Sequence, residues 1–118
     1  METKYIDVSI NLMKHPKFKW QGGMLTACGT RIKGNWMIKQ WLMKQYIDDR
    51  PVPDLDDPAT RGCLLAQVRV LCKDPDAYVC HFEEGWQVVM WPEPNVPVYS
   101  ETEGLALANY ILDTSRYI

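Results

Sequence analysis

The stretch DLDDPATRGCLLAQVRVLCK, residues 54–73, carries the start, the buried face and the end of one helix. Asp57 stands at the N-cap position, where its carboxylate can accept hydrogen bonds from the free N–H groups of the first turn. Pro58 follows at the first helical position, where its missing N–H costs nothing. Lys73 closes the last turn, and Pro75 forbids continuation. Apolar residues at helical spacing form the face that we expect to be buried, namely Leu64, Leu65, Val68, Leu71 and Cys72.

The rest of the sequence has the composition of an ordinary globular domain. Its 118 residues, of which 47% are hydrophobic, suffice for a core without disulfides or metals. No apolar run approaches the roughly 20 residues that span a bilayer. The first residues, METKYIDVSINLMK, lack the continuous apolar segment of a signal peptide. We therefore predict one domain over residues 1–118, located in the cytoplasm, with reduced thiols and no membrane partner.

Two further helices and an antiparallel sheet are expected around this central helix. The first helix is predicted at about residues 3–14, because Pro16 ends it. The last helix follows a capping box with Ser100 as N-cap and Glu103 as its reciprocal acceptor. Strands are expected at residues 24–32, 77–82 and 86–91. The predicted fold is α+β, a small antiparallel sheet of three to five strands with about three helices packed on it.

Residues 36–47 permit two interpretations. Trp36, Ile38 and Leu42 alternate as in a strand, and the turn signal Gly34-Asn35 directly before them favours a hairpin. The same residues also form a broad apolar helix face, which intrinsic propensity favours. Both interpretations stay open, although the turn signal favours a strand for the first part.

Several short motifs resemble a widespread group of small phage and prophage proteins that have no assigned activity. The helix start Asp-Pro-Ala-Thr-x-Gly-Cys-Leu-Leu, residues 57–65, is the most specific of them, and the resemblance covers the later two-thirds of the chain. The chain departs from the pattern at Cys72 and Lys73 and in its basic N-terminal segment. The resemblance implies a phage context and no reaction. The other matching features are Met24-Leu25 near Gly22-Gly23, Val68-Arg69, Asp74-Pro75, Gly85-Trp86 and the helix at residues 102–107.

The sequence lacks a recognisable catalytic or metal-binding set. Its two histidines, His15 and His81, accompany four cysteines without any CxxC or HxxxH spacing. Cys80 and His81 are adjacent in a predicted strand and point to opposite faces, so they cannot easily coordinate the same ion. The acids before the central helix are explained by capping, and no phosphate-binding glycine motif occurs. We therefore predict a non-enzymatic protein without metal or cofactor.

Charge and aromatic residues suggest a binding role. Residues 1–50 carry a net charge of +5, and residues 51–118 carry −7. The five tryptophans can either fill the core or serve as anchors at an interface. Trp86 and Trp91 differ by an odd number in one strand, so at least one should lie off the core.

The leading hypothesis is a phage or prophage accessory protein that binds a host protein or protein complex. It would inhibit or redirect that host protein, for example a defence system such as a CRISPR effector. A small-ligand or nucleotide-binding accessory protein is the first alternative, and a nucleic-acid-binding module is the second. A homodimer is compatible with the sequence. The proposed site combines exposed aromatic side chains with basic ones: Lys17, Lys19, Trp20, Arg31, Lys33, Trp36 and Trp41.

Overall fold

The computed structural model describes residues 6–27, 29, 31–33, 52–91 and 99–113. These residues form three helices and one antiparallel hairpin, so the α+β class is confirmed. None of the described helices combines the length and hydrophobicity needed to cross a membrane. In chain order the elements are α1 (Ile6–Lys14), α2 (Pro58–Cys72), β1 (Tyr78–Phe82), β2 (Gly85–Val89) and α3 (Glu103–Leu112).

The sheet of the described residues has two strands, so the prediction of three to five strands is not confirmed. The segment predicted as a strand at residues 24–32 instead makes isolated bridges, Leu25 with Arg31 and Thr26 with Pro53. The chain reverses between Leu25 and Arg31, where Gly29 adopts a φ of +94°. This reversal leaves no length for a continuous strand. Residues 36–47, whose structure the sequence left open, lie outside the described residues.

Helix α2 begins and ends where the sequence predicts. The Asp57 carboxylate accepts a 3.0 Å hydrogen bond from the Thr60 N–H, and Pro58 occupies the first turn. Lys73 terminates the helix in the left-handed conformation with a φ of +58°, while its N–H and that of Asp74 bond to the last carbonyls. Both ends are therefore satisfied by local groups, as helix termini require.

Helix α3 lies at the centre of the fold. Seven of its ten residues are buried, and it packs against α1, α2 and both strands. Helices α1 and α2 each contribute a smaller buried set: Leu12 from α1, and Leu64 and Val68 from α2. The core therefore forms around the C-terminal helix rather than around the helix with the clearest sequence signals.

The start of α3 differs from the predicted capping box. Its N-cap is Thr102, whose hydroxyl accepts a hydrogen bond from the Leu105 N–H at 3.1 Å. Ser100 lies before the helix, where its backbone exchanges two hydrogen bonds of 2.8 Å with Trp86 of β2 and its hydroxyl accepts one of 3.1 Å from the Asn109 side chain. The Glu103 carboxylate accepts a bond from Arg61 at 2.7 Å.

The β1–β2 hairpin has one face toward the core and one toward solvent. Pairing runs from Tyr78 opposite Val89 to Phe82 opposite Gly85. Because side chains alternate along a strand, Val79, Trp86 and Val88 lie on the core face. Trp91 lies beyond β2 and is 79% exposed, while Trp86 packs against the core. The prediction that one of these two tryptophans lies off the core is confirmed.

Candidate functional site

Exposed aromatic side chains gather on the solvent side of the hairpin. Trp91 is 79% exposed, Tyr78 50%, Phe82 38% and Tyr99 37%. We call these four residues the outer hairpin face. Among the described residues, the only other large hydrophobic side chain of comparable exposure is Val70. Exposed aromatic clusters of this kind are typical of protein-binding surfaces.

The backbone holds Phe82 and Tyr99 in contact across a glycine. Their rings meet edge to face, with centroids 6.2 Å apart and planes at 79°. Phe82 pairs with Gly85, and Tyr99 directly precedes Ser100, which is bonded to Trp86. A Cβ atom on Gly85 would lie 2.7 Å from the Ser100 carbonyl oxygen, and the φ of Gly85 is +135°. Only glycine therefore fits this close approach.

The backbone of Trp91 is fixed although its ring is exposed. The Trp91 N–H donates to the Asp74 carboxylate at 3.0 Å, and the other Asp74 oxygen accepts from the Asp76 N–H at 2.9 Å. Arg69 of α2 donates to the Ala77 carbonyl at 2.7 Å. These bonds connect both ends of the hairpin to α2 and to the turn that follows it. The backbone of Trp91 is therefore held in place, while its side chain is exposed.

The surroundings of the outer hairpin face are acidic. The sequence contains no lysine or arginine between Lys73 and Arg116, whereas eight acidic residues occur there. Asp76 precedes β1, and the hairpin turn carries Glu83 and Glu84, all three exposed. Both ends of β1 are thus flanked by exposed carboxylates.

A second concave surface lies between residues 16–21 and α2. Lys17, Lys19 and the exposed side chain of Val70 are among the residues that line this cleft of about 500 Å³, which we call the lysine cleft. The buried Gln67 side chain fixes its wall, because its amide accepts from the Lys19 N–H at 3.0 Å and donates to the Lys19 carbonyl at 2.6 Å. The helical pattern did not reveal this role, since Gln67 is polar at a buried position.

The expectation that Trp20 is an exposed anchor is wrong. Trp20 is buried beside Phe18, with ring centroids 5.4 Å apart. The residues of the segment Lys17-Phe18-Lys19-Trp20 point alternately outward and inward, so the lysines face solvent while the two rings enter the core. The lysines therefore line a surface site without Trp20 as its exposed aromatic partner.

The other nominated residues lie away from the lysine cleft or outside the described part. Arg31 donates to the Asp57 carboxylate at 2.7 Å and to the Gly23 carbonyl at 2.9 Å, at the N-terminus of α2. Gln67 follows Asp57 by ten residues, which is about 15 Å along the helix axis. Arg31, which bonds to Asp57, and Lys19, which bonds to Gln67, therefore contact opposite halves of α2. Lys33 is exposed, and Trp36 and Trp41 lie outside the described residues.

The titratable groups of α2 show no activated nucleophile. The Arg31 guanidinium, together with hydrogen bonds from Thr60, holds the pKa of Asp57 below its ordinary value of 3.8. Burial raises the pKa of the Cys63 thiol above 9.0, and the nearby Asp57 carboxylate raises it further. Burial also raises the pKa of Cys72. Both shifts disfavour the thiolate, which is the reactive form of cysteine.

The described part of the chain contains neither a cluster of metal ligands nor a disulfide. Its His, Cys, Asp and Glu residues form no group of three or more placed to hold an ion. Cys63, Cys72 and Cys80 form no disulfide. Comparison of the chain with protein-family models, with curated proteins and with solved structures finds no match.

None of the four residues of the outer hairpin face belongs to the site predicted from the sequence, although Trp91 is one of the two tryptophans of which at least one was expected off the core. The predicted site instead combined tryptophans with the basic residues of the first half of the chain, and so omitted Tyr78, Phe82 and Tyr99. The alternation within β1 was the signal that could have found two of them, since Val79 on the core face places Tyr78 outward and, four positions on, Phe82. Tyr99 has no such local signal, because its position depends on the bridge between Ser100 and Trp86.

Proposed function

We propose that this protein is a non-enzymatic binding protein that engages another protein through its outer hairpin face. The observation that carries the proposal is the exposure of Tyr78, Phe82, Trp91 and Tyr99 on one side of a fixed hairpin. Aromatic anchors that are already held in place lose little freedom on binding, so they yield much affinity for their area. The acidic surroundings select for a basic partner surface and speed its approach.

The biological setting of the proposal rests on the sequence resemblance. The helix start at residues 57–65 resembles that of small phage and prophage proteins, so we propose a phage or prophage accessory protein acting on a host protein. Host proteins that bind nucleic acid present basic surfaces, because they neutralise phosphates. An acidic, aromatic face suits such a target, and a nucleic-acid-dependent defence system is one candidate for inhibition.

Affinity capture from host lysate tests the proposal. The wild-type chain is compared with the double variant Tyr78→Ala/Trp91→Ala, which removes two anchors whose rings are at least half exposed. We expect the variant to lose its captured protein by about tenfold or more, while its melting temperature changes little. The control is Val70→Ala, which removes an exposed apolar side chain from the lysine cleft and should capture the protein normally. Equal capture by the double variant and the wild type would contradict the proposal.

The lysine cleft supports a second candidate function, the binding of a small anionic ligand. Its volume of about 500 Å³ lies within the range of small-molecule sites, and two lysines stand at its rim. Thermal shift with inorganic phosphate and with nucleotides tests this candidate. Stabilisation that is lost in Lys17→Ala/Lys19→Ala supports ligand binding, and the absence of stabilisation by any of these anions rejects it. A mobility shift with a salt series tests the nucleic-acid alternative in parallel.

A further inference from the structure

Among the described residues, strand β1 has one edge without a pairing partner. It pairs with β2 on one side, and within the described residues its backbone makes no sheet pairing on the other. The Arg69 side chain covers the Ala77 carbonyl, just before the strand begins. The open part of the edge therefore lies within β1 itself.

The pairing of β2 determines which backbone groups of β1 face outward. Trp86 directs both its N–H and its C=O to Ser100, away from β1. Alternation then turns the backbone groups of Gln87 toward β1, and those of its partner Cys80 toward β2. Val79 and His81 consequently present their N–H and C=O groups at the open edge. The only described contact of these groups is a weak one, from the Cys80 thiol to the His81 carbonyl at 3.8 Å.

We propose that the edge of β1 receives an extended, basic segment of the partner protein, which adds to the hairpin as a further strand. The inference rests on the proposed function and specifies its partner chemistry. Hydrogen bonds to Val79 and His81 fix the segment, and its outward side chains lie beside Tyr78 and Phe82. Lysine or arginine at these positions finds aromatic faces for cation–π contact.

Charge complementarity determines the occupant. Asp76 lies at one end of β1 and Glu83 and Glu84 at the other, and no lysine or arginine occurs in the sequence from residue 74 to residue 115. A basic segment meets carboxylates at both of its ends. A second copy of the chain that paired β1 with β1 in antiparallel register would instead bring Asp76 close to Glu83 and Glu84 of its neighbour. Like charges placed opposite each other across strands are destabilising, so this occupant is disfavoured.

The test uses the full chain labelled with ¹⁵N and two synthetic peptides as probes. One peptide is acetyl-Thr-Lys-Val-Lys-Val-Lys-Thr-amide, and the other carries Glu in place of every Lys. Backbone amide exchange is followed at Val79 and His81 at millimolar peptide. We expect the basic peptide to slow exchange at both amides and the acidic peptide to leave it unchanged, since only the basic one matches the charge of the edge.

Two variants separate the backbone contribution from the side-chain contribution. His81→Pro removes an outward N–H that the hairpin does not use, which an edge strand tolerates. His81→Ala keeps that N–H and serves as the matched control. Binding of the basic peptide should weaken about tenfold in His81→Pro and remain close to wild type in His81→Ala. If His81→Pro does not fold, the exchange measurement on the wild-type chain decides the question.

Three outcomes overturn the inference. These are binding of the basic peptide without protection of Val79 and His81, binding of neither peptide, and protection of the two amides by self-association in the absence of peptide. The proposed function is judged separately by lysate capture. Capture that survives in His81→Pro but is lost in Tyr78→Ala/Trp91→Ala rejects strand addition and leaves protein binding intact. Capture that survives in both variants rejects the proposed function itself.

Discussion

Gly104 marks the closest approach between α3 and the rest of the chain. A Cβ atom at this position would overlap the Leu55 carbonyl group, so α3 can sit against residues 54–57 only because residue 104 has no side chain. Gly62 in α2 is the opposite case, because its surroundings are open. Both glycines lie within the first turns of a helix, but only at residue 104 does a neighbouring segment leave no room for a side chain.

Substitution of each glycine by alanine should have opposite effects on stability. Gly104→Ala should destabilise the protein by about 1–3 kcal/mol, because backbone must move to admit the methyl group. Gly62→Ala should stabilise it by about 0.5–1 kcal/mol, because alanine favours the helix and meets no neighbour. Urea unfolding followed by circular dichroism measures both free energies. A neutral Gly104→Ala would show that α3 does not contact Leu55 as closely as described.

Asp57 makes the stability of the protein depend on pH in acid. Its pKa in the folded state is lowered below 3.8, chiefly by the Arg31 guanidinium and also by Thr60. A lowered folded pKa means that the stabilising contribution is present above the unfolded pKa and is lost as pH falls through the folded pKa. Asp57→Ala should cost about 1 kcal/mol or more at neutral pH through the lost N-cap.

The difference in unfolding free energy between wild type and Asp57→Ala should narrow as the pH falls below 3.8. Urea unfolding at a series of pH values measures it. Asp57→Asn is the matched control, because it keeps a capping oxygen without the charge, and its stability should respond less to acid over this range. A difference that stays constant on acidification would show that the Arg31–Asp57 pair contributes little.

At the scale of elements, α2 joins the core through fewer residues than its sequence pattern suggests. Leu64 and Val68 are fully buried, whereas Leu71, expected on the same face, is only partly buried. Thr60 and Gln67 complete the buried side of α2 with polar groups that bond to other segments.

Truncation of Leu64 should be costly. Leu64→Ala removes a side chain with no exposure and should lower the free energy of unfolding by about 2–5 kcal/mol. Val70→Ala on the same helix removes a side chain that is 77% exposed, so it should change stability by less than about 0.5 kcal/mol. Urea melts of both variants measure the contrast. Similar values for the two would mean that the buried face of α2 is misassigned.

Gln67 should stabilise the segment that carries Lys17 and Lys19. Gln67→Leu keeps the size of the side chain but leaves the Lys19 N–H and carbonyl without their partner, at a cost of about 1–3 kcal/mol. Gln87→Leu on the outward side of the hairpin provides a control, for which we expect little change. Chemical denaturation measures the cost, and amide exchange at Lys19 shows whether the local bond is responsible. An unchanged rate of amide exchange at Lys19 in Gln67→Leu would show that the hydrogen bonds between Gln67 and Lys19 do not stabilise this segment.

At the scale of the whole molecule, α3 links all other described elements. It packs against α1, α2 and both strands, so the loss of any one element exposes part of the same core. Its central position lets a chain with a basic first part and an acidic second part form one hydrophobic core. The single domain over residues 1–118 stays a prediction, which the unfolding transition of the full chain tests.

We expect one cooperative unfolding transition. Far-ultraviolet circular dichroism reports the helices, and tryptophan fluorescence includes the signals of Trp20 in the core and of Trp86 packed against it. Because both probes depend on one core, their urea midpoints should coincide. The variant Trp91→Phe removes the exposed indole from the fluorescence signal and should leave the midpoint unchanged. Separate transitions for the two probes would contradict a single domain.

Local patterns in the sequence determined the boundaries of α2, the β1–β2 hairpin and the alternation of residues 17–20. Each depends on groups only a few residues apart: Asp57 with Thr60, Glu83-Glu84-Gly85 in the turn, and Lys17 next to Phe18. Sterics and short-range hydrogen bonds act at this distance, so a single sequence reveals them. The opposite orientations of Trp86 and Trp91 followed for the same reason.

The tertiary structure alone decided which of these local features became surface sites. It buried Trp20, moved the N-cap of α3 from Ser100 to Thr102 and joined Arg31 to Asp57, 26 residues away. It also brought Tyr99 to Phe82 and, within the described part of the chain, left one edge of β1 without a strand partner. These results depend on where α3 packs and on pairings between distant segments, whose free energy comes from burial shared by the whole core and leaves no local pattern.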